Sequence, residues 1–412
     1  MKLKKVCRFC SNKKTKQVWK LKSTPMEDDF VKKKIKQKKY PLELYLCEKC
    51  KHVFLPHILS PVRSYKYYLY NTEVTLGLVK HYKNYAKELI KKLKIKKKSL
   101  CVDIGSNDGS MLKAFKSFGM NIVGVEPGVA LFKKANKNKL LTYNSFFDQK
   151  IVNKILKTHG PANVITANYV FANIDNLNQF IIDAKKLLSK NGVLVIQTGY
   201  YPDQFKKKMF DYIYHEHFSY FSIHSLKFLL KKHNMHISQI VRKKPKGGSI
   251  RIFVKKNTKN SEILDHKIVK NYLKYEKKER ACTLSYFIKF GNIINKMKLQ
   301  LLKYLNSNNL KNLKIAGFGA SHSTTILLHH FDLNKYVNLI VDDNPLKHGL
   351  FSPGFHIPVK KTNYLLKKNY KNILILAWQH QDAIINKHHN LLKKGMQFIV
   401  PLPRFKVVKN EK

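Results

Sequence analysis

Four groups of side chains in this chain have the types and spacing to do chemistry. Cys7-x-x-Cys10 and Cys47-x-x-Cys50 are paired knuckles that can bring four thiolates to one tetrahedral ion, the geometry zinc takes. Four thiolates leave no open ligand position, so a metal held there is structural. Gly105-Ser106-Asn107-Asp108-Gly109 follows an apolar run at 100–104, with Asp103 just before it, and Glu126 closes the next apolar run. Asp103 and Asp108 beside the turn would repel a phosphate and favour a cationic or amine-bearing ligand. Glu126 offers only acceptors, which suits a pair of ribose hydroxyls. Tyr214, His215, Glu216, His217 and Tyr220 put five ionisable groups within seven residues. That composition fits a general base with a carboxylate orienting its imidazole. The two histidines are two residues apart, not the four that a zinc-binding H-E-x-x-H helix needs. Lys246-Gly247-Gly248-Ser249-Ile250-Arg251 could hold a phosphate or carboxyl group on backbone amides and a guanidinium.

The elements that must position these groups read as α/β. Residues 100–104 form a strand, 110–118 a helix and 121–125 a second strand, one βαβ unit with Glu126 at its end. Helices are expected over 129–136, 149–158 and within 172–190, the last stopped by Asn191-Gly192, with strands over 140–143, 163–167 and 193–198. Such alternation gives a mainly parallel sheet whose ligands sit beyond the strand carboxyl ends. That rule gathers 105–109, Glu126, 168–173 and 197–200 on one rim. Tyr82, Tyr85, Leu89 and Leu93 share a helix face and read as core, while the dense tyrosines at 65–70 could lend a hydroxyl to a site. Cys101 and Cys282 read as buried small hydrophobes, and His52 and His57 as loop residues. Residues 261–305 read as one long helix or a pair. A second βαβ unit follows, with strands over 313–316 and 338–342 around the turn Gly317-Phe318-Gly319-Ala320-Ser321, and a further strand over 373–378. A glycine turn at a helix N-terminus suits an anionic nucleotide.

At 412 residues the chain has room for two or three domains, and 44% hydrophobic residues exclude a disordered one. The charge of +55, from 80 basic and 25 acidic residues, suggests nucleic acid or an anionic surface. The lysines are spread along the whole chain and arginine is scarce, which fits a lysine-rich solvated surface better than one binding stripe. No stretch is apolar for long enough to span a bilayer, and no apolar leader precedes Cys7, so the cytoplasm is the expected location.

These stretches together resemble the sugar-nucleotide C-methyltransferases, which act on dTDP-linked keto-deoxysugars. The similarity is carried by the four cysteines, VDIGSNDGS, FDYIYHEHFSYFS, KGGSIR, GFGAS, VDDNPLKHGLFSPGFHIPV and ILAW. It implies a zinc module (1–62), a central Rossmann-like S-adenosylmethionine methyltransferase domain (63–260), and a helical connector with a smaller Rossmann-like domain (261–412). Its cofactors would be S-adenosylmethionine, held by Asp103, Gly105, Asn107, Asp108, Gly109, Glu126 and Asn168, and structural zinc on Cys7, Cys10, Cys47 and Cys50. By resemblance Tyr214, Glu216 and His217 match the catalytic motif, His217 being the base, and Tyr70 matches a further active-site tyrosine. Lys246, Gly248, Ser249, Arg251, Asp342, Asn344, Lys347 and His356 would hold a dTDP- or CDP-linked sugar. The implied chemistry is removal of a proton beside a ketone, followed by methylation of that carbon. The chain departs from the family pattern at Gln197, where Glu is common, at Asn173, where His is, and in the turn ASHSTT.

Two other functions use the same features. An RNA-modifying methyltransferase also combines zinc, a cofactor turn and basic charge, although Asn168-Tyr169-Val170-Phe171 stands where base methylators carry an N-P-P-Y type tetrapeptide. A non-catalytic zinc and Rossmann scaffold is the third.

Overall fold

The computed structural model describes residues 2–59, 72–74, 77–243, 245–258, 261–307, 313–368 and 370–410. Tyr70 and the rest of the 65–70 tyrosine cluster lie outside them. The chain forms two compact units that interleave along the sequence, whereas the boundaries drawn from sequence are linear cuts. The first unit comprises Met1–Lys16, Leu46–Tyr201 and Phe218–Cys282; the second comprises Gln17–Tyr45, Pro202–His217 and Thr283–Lys412.

The first unit is built on a seven-stranded sheet. Its strands are β1 (Leu100–Ile104), β2 (Asn121–Val125), β3 (Thr142–Tyr143), β4 (Ala162–Asn168), β5 (Leu188–Gly199), β6 (Met235–Lys243) and β7 (Ser249–Lys256), in the order β6-β7-β5-β4-β1-β2-β3. Pairings from β5 through β3 are parallel; β7 runs antiparallel to both β5 and β6. Every residue of β1 is buried, as expected of a central parallel strand covered on both faces. One cover is α1 (Leu78–Leu93), which buries Leu78, Tyr82, Tyr85, Ala86 and Leu89 at helical spacing against Cys101, Phe115, Val195 and Phe253. Leu93 packs at the edge of the same cluster. The short α2 (Ser110–Lys116) leads from the first glycine turn back toward β2.

The expected helix over 172–190 is shorter in the structure, α3 (Leu177–Leu187), preceded by a single 3-10 turn at Phe171–Asn173. Asn191-Gly192 does not stop it. The chain becomes extended already at Leu188, and Gly192 lies where the β5–β4 register shifts. A Cβ there would come within 2.7 Å of the Ala162 carbonyl oxygen, so a close strand approach accounts for this glycine.

In the second unit, β8 (Ile315–Phe318), β9 (Val337–Val341), β10 (Val359–Lys360), β11 (Asn372–Ile375), β12 (Gln397–Val400) and β13 (Lys406–Val408) form a sheet ordered β10-β9-β8-β11-β12-β13. All its pairs are parallel except β12–β13. Beside β8 runs α4 (His322–Phe331), capped by Ser321 in a reciprocal capping box with Thr324. The stretch read as one or two helices is two, Ser261–Lys278 and Leu284–Ser307. Among the described residues no helix is long and apolar enough to cross a membrane.

Candidate active site and metal centre

The two glycine turns are built alike. In the first unit the Gly105 amide donates to the Val125 carbonyl at 2.8 Å, and in the second the Gly319 amide donates to Val341 at 2.8 Å. The acid after each second strand then ties the turn. Glu126 accepts from the Asn107 and Gly128 amides, both at 2.8 Å. Asp342 accepts from the Ala320 amide at 2.5 Å and the Asn344 amide at 2.7 Å. Gly109 has φ +81°, a conformation that demands glycine, and its Cβ would press to 2.6 Å from the Leu140 Cδ1 methyl, which would have to move.

Above the first turn lies a cavity of about 320 Å³, walled by Asp103, Gly105, Asn107, Glu126, Asn168, Tyr169 and Lys246 among others. Asp103 and Glu126 are 3% and 4% exposed. The Asp103 carboxylate accepts from Thr166 Oγ1 at 2.6 Å and Asn168 Nδ2 at 3.3 Å. Burial, aided by the nearby charges of Glu126 and Asp108, outweighs these bonds and pushes its carboxyl up to about 7. Burial also raises Glu126, against the amides of Gly128 and Asn107. Asn168 Oδ1 is buried without a protein partner. These groups fit S-adenosylmethionine: acidic acceptors for a cation, spare carboxylate lone pairs for ribose, and an orphaned acceptor for an amine.

Of the residues expected to hold the cofactor, Asp108 and Gly109 stand behind the turn. Asp108 accepts from the Ser110 amide and hydroxyl at 3.0 and 2.6 Å and from the Glu73 amide at 2.9 Å, which ties the 72–74 turn to the start of α2. Asn107 Oδ1 receives the Thr72 amide at 3.0 Å, and Thr72 itself walls the cavity. Ser106 and Val170 in the wall fall on the rim that the sequence reading drew, whereas Thr72 and Phe147 do not. Their only sequence signal is position: each lies in a segment outside the carboxyl end of a parallel strand, or joined to one by hydrogen bonds.

The K-G-G-S-I-R stretch divides. Lys246, in a left-handed conformation (φ 52°), reaches the cavity wall with its ammonium 4.4 Å from the Tyr169 ring centroid. Ser249 is buried and its hydroxyl meets Tyr169 Oη at 3.3 Å. Arg251 is wholly buried: Nε and Nη2 donate to Gln197 Oε1 at 2.9 and 2.8 Å, Nη1 to Glu88 at 3.0 Å, and the guanidinium stacks on Tyr85. Its donors tie β7 to its neighbour β5 and to α1. The Gln197 amide group donates in turn to Tyr169 Oη at 2.8 Å and to His81 Nε2 at 3.2 Å.

Cys7, Cys10, Cys47 and Cys50 place their sulfurs within 4.8 Å of one another, with Cys7–Cys50 at 3.4 Å and Cys10–Cys47 at 3.5 Å. A tetrahedron with bonds of about 2.3 Å has edges of roughly 3.8 Å, so the four thiolates suit zinc. His52 stacks on Phe9 at 3.7 Å and is fully buried, a core residue rather than a ligand. Cys101 is buried and Cys282 half-buried.

The 210–217 segment lies in the second unit. His217 Nδ1 is 3.2 Å from the Tyr212 carbonyl, which can only accept, so Nδ1 is the donor of that hydrogen bond. A backbone carbonyl thus helps orient the imidazole, a task that the sequence reading gives to Glu216. The Tyr214 ring packs on His217, with centroids 4.0 Å apart, and on His322 at 5.5 Å. Glu216 is buried. Beside the neighbouring imidazole stands Glu27, 3.2 Å from His215 Nδ1, with His215 Nε2 3.2 Å from the Tyr40 carbonyl. Burial alone would raise Glu27, but His215 brings it below the ordinary carboxylate range. Asp211 Oδ2 accepts from Trp378 Nε1 and Gln379 Nε2, both at 2.7 Å, and burial pushes its carboxyl up to about 7.

The remaining expected acceptor-binding residues sit in the same unit. Lys347 is buried with its ammonium 2.5 Å from Asp28 and over the Phe30 ring. Asn344 caps a 3-10 turn, Asp342 holds the glycine turn, and His356 meets the Ile35 carbonyl at 2.8 Å. Gly248 is the buried hinge into β7, at φ 127°.

Comparison with known proteins matches three family models in succession: "Putative zinc binding domain" over 7–65, "Methyltransferase domain" over 78–240, and "C-methyltransferase C-terminal domain" over 244–403. The C-methyltransferase NovU of Streptomyces niveus is 26% identical over 413 residues, covering 98% of this chain and 97% of its own. Solved structures with likeness include an S-adenosylmethionine-dependent methyltransferase from Clostridium acetobutylicum (12% identity, TM-score 0.35, 44% of this chain and 92% of that one). Another is the plantazolicin methyltransferase BpumL in complex with a pentazolic desmethylPZN analog and SAH (13% identity, TM-score 0.37, 45% and 87%).

Proposed function

We propose that this chain, matched in succession by zinc-binding, methyltransferase and C-methyltransferase C-terminal family models, is an S-adenosylmethionine-dependent C-methyltransferase whose acceptor is a nucleotide-linked keto-deoxysugar methylated beside its ketone. The observation that carries this reading is the hydrogen bond between His217 Nδ1 and the Tyr212 carbonyl. With Nδ1 donating to the Tyr212 carbonyl, Nε2 is the nitrogen that a neutral ring offers as base, and the ring packs at 30° to that of Tyr214 with centroids 4.0 Å apart. A carbon nucleophile needs such a base, because the proton beside a ketone must leave before the carbon can be alkylated. His217 Nε2 takes that proton, and a tyrosine hydroxyl, Tyr214 or Tyr70, steadies the charge that develops on the ketone oxygen. When bound, S-adenosylmethionine supplies an electrophilic methyl group; Asp103, Glu126, Asn107 and Asn168 hold it. The nucleotide portion of the acceptor is assigned to Asn344, Lys347 and His356 of the second unit. At Lys347 a phosphate would share the ammonium with Asp28.

His217→Ala tests the assignment. Methyl transfer should fall by at least 100-fold, with cofactor affinity by calorimetry within twofold of wild type. Turnover near the wild-type level would remove His217 from the reaction.

A further inference from the structure

Within the first unit the metal knuckle is joined to the wall of the cofactor cavity. Arg8 lies between Cys7 and Cys10, is 8% exposed, and sits between the rings of Phe54 and Phe218, at 5.4 and 5.6 Å from their centroids. Its Nε donates to Asp175 Oδ1 at 3.0 Å and its Nη1 to the Phe218 carbonyl at 3.3 Å. Lys4 Nζ donates to the other Asp175 oxygen at 2.9 Å. Asp175 walls the cavity, together with Asn173 and Asn176 of the same loop. A second tie runs through backbone: Asn178 Nδ2 donates to the Arg8 carbonyl at 2.6 Å and the Phe9 carbonyl at 3.3 Å. Lys232 Nζ locks it, donating to Asn178 Oδ1 at 2.9 Å and to the Phe9 carbonyl at 3.1 Å.

We infer that Arg8 and Asp175 are positioning residues for the cofactor, through which the metal-bound knuckle holds the 173–178 wall in its binding shape. The inference goes beyond the proposed function and does not depend on which acceptor is used. The knuckle loop spans four residues, and its carbonyls and Arg8 reach 173–178 only while Cys7 and Cys10 are drawn together. Without the metal, four crowded thiols have nothing to bind in common, and the loop is free to open. The wall must then be ordered when the cofactor enters, and that ordering is subtracted from its affinity. Coupling of this kind is reciprocal: whatever factor zinc adds to cofactor affinity, the cofactor adds to zinc affinity. Arg8 and Asp175 need not touch the cofactor to produce it.

The test uses the full zinc-loaded chain and S-adenosylhomocysteine as the probe. Arg8→Met keeps the stem between the two phenylalanines, and Asp175→Asn removes the charge from the wall. Each should weaken S-adenosylhomocysteine about tenfold by calorimetry, within the range of ordinary coupling, with one zinc per chain retained. The double variant should be no weaker than either single variant. In steady state the cofactor KM should rise while kcat holds. Saturating S-adenosylhomocysteine should slow zinc loss to a colorimetric chelator in wild type and fail to do so in Asp175→Asn. Affinity within twofold of wild type in zinc-loaded Asp175→Asn, or equal chelation rates with and without the probe, would overturn the inference. Should Arg8→Met not fold, Asp175→Asn decides it alone.

Discussion

Replacing Asp103 with Asn isolates the electrostatic cost of the cofactor cavity. The side chain keeps its shape, and its carbonyl can still accept from Thr166 Oγ1. The native carboxyl is pushed from an ordinary 3.8 to about 7 by burial first and by Glu126 and Asp108 second. The folded chain therefore holds the proton more tightly than the unfolded one. Asp103 costs stability progressively as pH climbs from about 4 to about 7, and by a constant amount above that. At about 1.4 kcal/mol per pH unit the full cost is roughly 4 kcal/mol. The stability gained by Asp103→Asn should grow by about 2–3 kcal/mol between pH 5 and pH 8. Urea unfolding of the cofactor-free chain at each pH, wild type against variant, reads this directly. The cofactor should show the opposite sign. Cationic S-adenosylmethionine should bind wild type more tightly as pH rises through about 7, and Asp103→Asn should weaken it about tenfold while changing S-adenosylhomocysteine less. A stability difference that stays flat from pH 5 to pH 8 would refute the account of this cavity.

Gly109→Ala forces a side chain into φ +81° against Leu140 and should cost about 1–3 kcal/mol of stability, read as a lower urea midpoint, with weaker cofactor binding. Glu27→Gln leaves the fully buried His215 without its carboxylate and should cost on the order of 3 kcal/mol. Because His215 shares its segment with His217, kcat should fall in that variant while calorimetric cofactor affinity stays put.

How far the sequence reached depends on whether a residue's partner lies nearby in the chain. The first glycine turn was legible because strand, turn, helix and acid fall within 27 residues, 100–126, and their spacing alone puts Glu126 beside Asn107. The zinc knuckles were legible for the same reason twice over. Glu27 and His215 are 188 residues apart, and no local pattern marks Glu27 as the carboxylate for that imidazole. Arg8 reads from sequence as one more basic residue, yet its partner is Asp175. Asn191-Gly192 has the composition of a helix stop but serves a close strand approach, because a glycine required by space looks the same as one required by dihedral angle. The charge is a further case. Among the described residues eight acidic groups are buried (Glu27, Asp103, Asp108, Glu126, Asp183, Asp211, Glu216 and Glu276) against three basic ones (Arg8, Arg251 and Lys347). With 25 acidic and 80 basic residues in all, the scarce carboxylates are the ones set into the interior. The excess of lysine therefore belongs to solvated surface.

The proposed reaction is tested most directly by supplying methyl-labelled S-adenosylmethionine with a panel of dTDP- and CDP-linked keto-deoxysugars and locating the label by mass spectrometry and carbon NMR. The account predicts one labelled methyl per sugar, bonded to a carbon adjacent to the ketone and absent with His217→Ala. Label on oxygen or nitrogen, or label in RNA with none in any sugar, would contradict it.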